Sequence, residues 1–303
     1  MKVYDTKHIR NVAFVGHGGS GKTTLVDALA FVSGSSRRHG SILDGTTLTD
    51  YSQDEIDRQH SIGLGMGYAE WMDTKINMID TPGYLDFFGE AMTGLHAVDS
   101  AVVVVSATGG VEVGTEKVWD VCDDLHLPRI LFISMMDKEH ADFERVFADI
   151  KEHLSPKVLP VEIPVGDGPD FHGIINMFSG KAHMYKPGTR NGEYDEVDVP
   201  EEYADRFAAY SEQLTEAVAS TDDTLIERYL EGEPISREEV ISAMKNAILD
   251  GEIVPLFVGS GELTYGMRAL LTKMVELLPT PDERPAPAEA ALLGRVFKTI
   301  SES

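Results

Sequence analysis

One octapeptide constrains this chain more than any other segment. Gly16-His17-Gly18-Gly19-Ser20-Gly21-Lys22-Thr23 has a glycine, four free positions and then Gly-Lys-Thr, the spacing of a loop that wraps phosphate groups. Such a loop needs a strand before it and a helix after it. Residues 11–15 form a short β-rich apolar run, and Leu25, Ala28, Leu29 and Val32 then recur at helical offsets, with Gly34 as a stop. Glycines let backbone amides turn inward around phosphate oxygens, and the helix N-terminus adds partial positive charge. Lys22 is placed to neutralise β and γ phosphates, and Thr23 to offer a hydroxyl to Mg²⁺. The expected contacts of this loop are Gly18, Gly19, Ser20, Gly21, Lys22, Thr23 and Thr24.

The same kind of run recurs at 76–79, 101–105, 129–133 and 254–258. Mostly uninterrupted apolar runs are what strands covered on both faces of a parallel sheet look like. The economical solution is α/β, a doubly wound sheet of the P-loop NTPase kind. About 120 residues separate the fourth run from the fifth, far more than an α/β connection needs, so an α+β subdomain is inserted there. A helix is expected over 143–154, after which Pro156, Pro160, Pro164 and Gly166-Asp167-Gly168-Pro169 break the pattern. Further on, Tyr203, Phe207, Tyr210, Leu214 and Val218 share a helix face, and Ser236 with Glu239 reads as a capping box. A last helix is expected over 267–278. Pro279, Pro281, Pro285 and Pro287 then form a linker, and residues 293–300 resemble the first strand of a further domain. The expected division is a nucleotide-binding unit over 1–156 and 254–284, an insert over 157–253, and the linker with its strand over 285–303.

Charge narrows the partners. Against 51 acidic residues stand 26 basic ones, a formal net charge of −25, which repels a naked phosphate backbone at long range. Free DNA is therefore not an expected partner, and docking on nucleic acid would run through a local basic patch or a further domain. The single Cys122 can make neither an internal disulfide nor a cysteine zinc cluster and reads as a small core residue in a reducing compartment. No secretory signal and no run of membrane-spanning length is visible, so a cytoplasmic protein without a membrane partner is expected. No feature of the sequence specifies an oligomeric state.

A second motif, Asp80-Thr81-Pro82-Gly83, follows the run at 76–79. An aspartate at a strand end near phosphates can hold the magnesium shell, and a glycine three residues on can give its amide to a γ-phosphate. With Asp50, Arg58, Ser61 and Ile62, the run Asp80-Thr81-Pro82-Gly83-Tyr84-Leu85-Asp86-Phe87 and the segment 101–110 resemble the GTPase domain of translational elongation factor G. The likeness extends to Phe171-His172-Gly173-Ile174-Ile175, at the entry of that family's inserted subdomain, and to Gly259-Ser260-Gly261 before the last helix. It implies GTP and GDP with Mg²⁺ as cofactors, GTP hydrolysis, the ribosome as partner of the full-length protein, and a β-barrel domain beginning near residue 290.

Three departures from the family pattern matter. Ser134-Met135-Met136-Asp137 stands where the family has Asn-Lys-x-Asp. The carboxylate that accepts two hydrogen bonds from the guanine edge is kept, and Met135 can lay an apolar stem on the base. Guanine selectivity should survive with weaker affinity, with Ser134, Met135, Asp137, Ser260 and Gly261 as the base side. Tyr84 stands where translational GTPases carry histidine. It either orients the attacking water beside Gly83 and Lys22 or packs on the switch. Gly19 replaces an aspartate and Ser61 a threonine, leaving Thr23, Ser61 and Asp80 as metal ligands. These replacements resemble the elongation factor G-like second paralogue type. The implied function is a GTP-binding, slowly hydrolysing switch domain. The alternative is a regulatory module that senses GTP or GDP with little turnover. An ATP-using phosphotransferase is disfavoured, because Asp137 follows the strand that reads guanine and no acceptor motif is present.

Overall fold

The computed structural model describes residues 2–233, 235–284 and 294–300. In chain order the first half runs β1 (Ile9–Val15), α1 (Lys22–Val32), α2 (Gln53–Arg58), β2 (Gly65–Trp71), β3 (Thr74–Asp80), α3 (Phe88–Leu95), β4 (Ser100–Ser106), α4 (Val113–Asp124), β5 (Arg129–Ser134) and α5 (Phe143–His153). It continues through β6 (Val158–Pro160), β7 (Glu162–Val165), β8 (Gly173–Asn176), β9 (Lys181–Tyr185), β10 (Tyr194–Asp198), α6 (Ala204–Ala219), α7 (Asp223–Leu230), α8 (Arg237–Leu249), β11 (Val254–Val258) and α9 (Met267–Leu277).

All the expected apolar runs are strands of one seven-stranded sheet, in the order β2-β3-β1-β4-β5-β11-β6. Val12, Val102, Val103, Leu131, Phe132 and Phe257 on its central strands are fully buried, as strands covered on both faces require. The sheet is mixed rather than wholly parallel. β2 returns antiparallel to β3 through Met72 and Asp73, both at positive φ (47° and 60°), the geometry of a two-residue hairpin turn. That turn lacks the usual Asn-Gly signal, and β2, with Gly65 and Gly67 and only scattered buried residues, is not an apolar run. β6 pairs with the outer edge of β11, where its proline is tolerated. The main sheet thus includes residues 158–160, beyond the expected division at 156.

The insert is a four-stranded antiparallel sheet, β10-β9-β8-β7, followed by α6, α7 and α8. Leu214 and Val218 of the expected helix face are buried, and Ser236 and Glu239 form the capping box. The insert is fastened to the loop that follows β11. The Tyr185 hydroxyl accepts from the Gly266 amide at 2.7 Å, and its ring stacks on Tyr265 at 4.2 Å and 8°. Residues 294–300 form no strand and pair with none of the described strands. Leu293, Pro285 and Pro287 lie outside the described residues.

Glu162 opens β7 fully buried. Its Oε1 accepts from Asn176 at 3.2 Å, and its Oε2 has no partner. Burial pushes this carboxyl from 4.5 up to about 8. Between those values the folded chain holds a proton that the unfolded chain has released, so stability falls as pH rises through the window. Urea unfolding at about pH 5 and about pH 8.5 should show this loss, and Glu162→Gln should abolish most of it. An unchanged pH slope in the variant would remove Glu162 as its source.

Candidate functional site

The phosphate-binding sequence lies between β1 and α1, with Gly21 as the helix N-cap at φ 85°. Gly16 has φ 146°, and a Cβ there would sit 2.3 Å from the Val104 carbonyl oxygen, so the turn out of β1 admits only glycine. Lys22 is buried and donates to the carbonyls of Gly16 at 3.1 Å and His17 at 2.7 Å. Burial pulls its ammonium down to about 8, against the raising effect of Asp80, Asp50 and Glu112. His17 anchors the loop sideways. Its Nδ1 accepts from the Gly114 amide at 3.2 Å, and its Nε2 lies 3.4 Å from Glu112.

Asp80 ends β3 beside Phe14 of β1, which carries it to the loop. Its Oδ2 accepts from the Thr49 hydroxyl at 2.6 Å, whereas its buried Oδ1 has no partner. The Thr23 and Ser61 hydroxyls are 3.1 Å apart. Burial pushes the Asp80 carboxyl up to about 6. An orphaned carboxylate oxygen beside two hydroxyls is a hard-oxygen donor set, which fits Mg²⁺ shared with substrate phosphates. Thr49 was not anticipated, since the stretch before Asp50 carries no motif.

Gly83 lies directly against the phosphate loop. A Cβ at that position would stand 2.3 Å from Lys22 Nζ and 2.6 Å from the Gly18 amide nitrogen. Gly83→Ala should therefore displace Lys22 at a cost of about 1–3 kcal/mol, read as a roughly tenfold or greater loss of GTP affinity. An alanine variant that binds GTP as the parent does would refute this packing. Tyr84 covers Gly18, with ring atoms 3.0–3.1 Å from the Cβ position of that glycine. It is 43% exposed, and its ring centroid is 4.8 Å from that of His60.

The base-side residues also converge. Ser134 donates to the Ser20 carbonyl at 2.6 Å, tying the end of β5 to the phosphate loop. Met135, at φ 60°, places Cε 3.2 Å from the Cβ position of Gly21. Asp137 keeps Oδ1 buried and unpartnered, with Oδ2 3.2 Å from Lys138. Ser260 accepts from the Leu263 amide at 3.1 Å, and Gly261 passes so close to Thr24 that a Cβ would meet its backbone at 3.2 Å. Gly21, Thr24, Ser134, Met135, Asp137, Ser260 and Gly261 line one cleft, together with Lys138 and Glu262, which sequence reasoning missed. Those two form an ion pair across the cleft edge. Neither belongs to a motif, so only their juxtaposition marks them.

The elongation factor Tu GTP-binding domain family matches residues 7–280. The chain belongs to that family. A crystal structure of a protein from Thermus thermophilus is similar to it, with 38% sequence identity and a TM-score of 0.85 over 91% of this chain. The match spans 41% of the Thermus protein, so this chain corresponds to well under half of that relative. Membership places the P-loop fold described above among the translation GTPases. Among the described residues no helix is long and apolar enough to cross a membrane.

Proposed function

We propose that this chain is the GTP-binding and GTP-hydrolysing switch domain of an elongation factor G-like, ribosome-associated translation factor. The observation that carries the reading is the convergence on the start of α1: the Lys22 cradle on one side, and on the other a cleft holding the orphaned Asp137 oxygen between Ser134 and Ser260-Gly261. Asp137 reads the guanine edge, Met135 and Thr24 flank the base, and Lys22 with the loop amides holds the phosphates. Mg²⁺, held by Thr23, Ser61 and Asp80, would neutralise charge developing between the β and γ phosphates. Gly83, packed against Lys22 and the Gly18 amide, would give its own amide to the γ-phosphate. Equilibrium titration with GTP, GDP and ATP in Mg²⁺ tests the reading, and equal affinity for ATP would overturn it. Multiple-turnover phosphate release with and without ribosomes tests the partner.

The nucleotide-sensing alternative draws on one observation, the tyrosine in place of a histidine beside Gly83. Tyr84 lies over the phosphate loop and against His60, and in this reading its hydroxyl would orient the attacking water. A phenol cannot become an imidazolium, so intrinsic hydrolysis should be slow. Tyr84→Phe should slow single-turnover hydrolysis about tenfold to a hundredfold, or roughly 1.4–2.7 kcal/mol of barrier, at saturating GTP. A phenylalanine variant as fast as the parent makes Tyr84 a packing residue, and a faster Tyr84→His variant shows chemistry given up.

A further inference from the structure

A larger cleft, of about 390 Å³, opens beside the base site between the segment after α1 and the β9–β10 connection, and Glu262 lines both. Its walls carry Arg37, Arg38 and His39 on one side and Arg190 on the other. In a chain of net charge −25, this is a concentration of cations against the general field. Glu262 is the one acid among the described lining residues, and it is turned to Lys138. Arg37 and Arg190 have no hydrogen-bond or ion-pair partner among the described residues. Arg38 gives one nitrogen to the Thr46 carbonyl at 3.1 Å, which holds its guanidinium in place. The His39 ring stacks on Phe31 at 5.4 Å and 13°, with Nε2 buried and unpartnered.

The backbone beside Arg190 is firmly packed. Gly192 packs so tightly on Thr264 that a Cβ would lie 2.3 Å from its carbonyl oxygen, and Arg268 holds the Asn191 carbonyl at 3.3 Å. These contacts fix the backbone that carries Arg190 into the cleft that Arg37 also lines. Arg37, Arg38 and Arg190 reach this cleft as exposed guanidinium groups, and guanidinium forks match phosphate geometry.

We propose that this cleft is a second anion site, which takes a phosphate group and is separate from the one at α1. It is a local basic patch of the kind through which so acidic a chain can meet a phosphate backbone. An RNA strand or a small phosphorylated molecule would present the same chemistry, and the test tells them apart.

The 303-residue chain, saturated with GDP and excess Mg²⁺, is titrated into a fluorescein-labelled single-stranded RNA and read by anisotropy. Adenosine 3′,5′-bisphosphate, which lacks the guanine edge, is titrated separately by calorimetry. Binding of the RNA should weaken with salt at a log–log slope of about −2, as for roughly three neutralised phosphates. The Arg37→Gln/Arg190→Gln double variant should bind at least about tenfold more weakly while keeping its GTP affinity, with one such loss per roughly 1.4 kcal/mol. RNA binding lost in this variant assigns a nucleic-acid ligand. Bisphosphate binding alone, lost in the same way, assigns a small molecule. The measurements are repeated on Lys22→Ala without nucleotide, which makes them independent of whether the first site binds GTP. Absence of both interactions, or a double variant that binds as the parent does, overturns the proposal.

Discussion

Asp137→Asn should exchange the base that the chain accepts, losing GTP by about 30-fold or more and gaining xanthosine triphosphate. The Asp137 carboxylate has one oxygen buried without a partner and the other 3.2 Å from Lys138. Guanine presents two donors to such an acceptor, and an asparagine can accept only one of them while its amide faces the other. Leaving buried donors unsatisfied costs about 1–3 kcal/mol each. Xanthine replaces a donor with an oxygen, to which the new amide donates. The two nucleotides are titrated against parent and variant under one Mg²⁺ concentration. An unchanged preference for GTP places the base elsewhere.

Lys22→Ala should weaken GTP and GDP together, by on the order of a hundredfold to a thousandfold. One ammonium meeting several phosphate oxygens forms charge-assisted hydrogen bonds worth about 1.5–3 kcal/mol each. The same substitution should leave the melting temperature unchanged or higher. Lys22 is buried, and burial has already pulled it down to about 8, so the fold bears a desolvation cost that alanine removes. Binding is thus lost without a loss of stability. A variant that melts as the parent does and binds GTP equally well would show that the phosphates lie elsewhere.

What was legible in the sequence followed from local chemistry. Uninterrupted apolar runs marked the buried strands, and glycine spacing marked the phosphate loop, whose Gly16 and Gly21 take the positive φ angles such a turn requires. The hidden parts depend on partners far along the chain. β2 carries two glycines and few buried side chains, so its strand character comes from pairing with β3. β6 is three residues long and contains a proline, and becomes a strand only because β11 has a free edge. Thr49 reaches Asp80 across 31 positions, and Lys138 reaches Glu262 across 124. No periodicity encodes such distances. Over residues 294–300 the strand-like pattern is present without a ladder to any described strand.

The fastening of Tyr185 bears on whether the molecule can be shortened. Its hydroxyl closes the Gly266 amide and its ring lies on Tyr265, five residues beyond Ser260. The inserted sheet therefore supplies part of the wall behind the base cleft, and excision of 162–253 would remove a supporting surface, not a detachable ornament. A minimal version of this domain retains the insert or replaces Tyr185 with another aromatic buttress of equal reach.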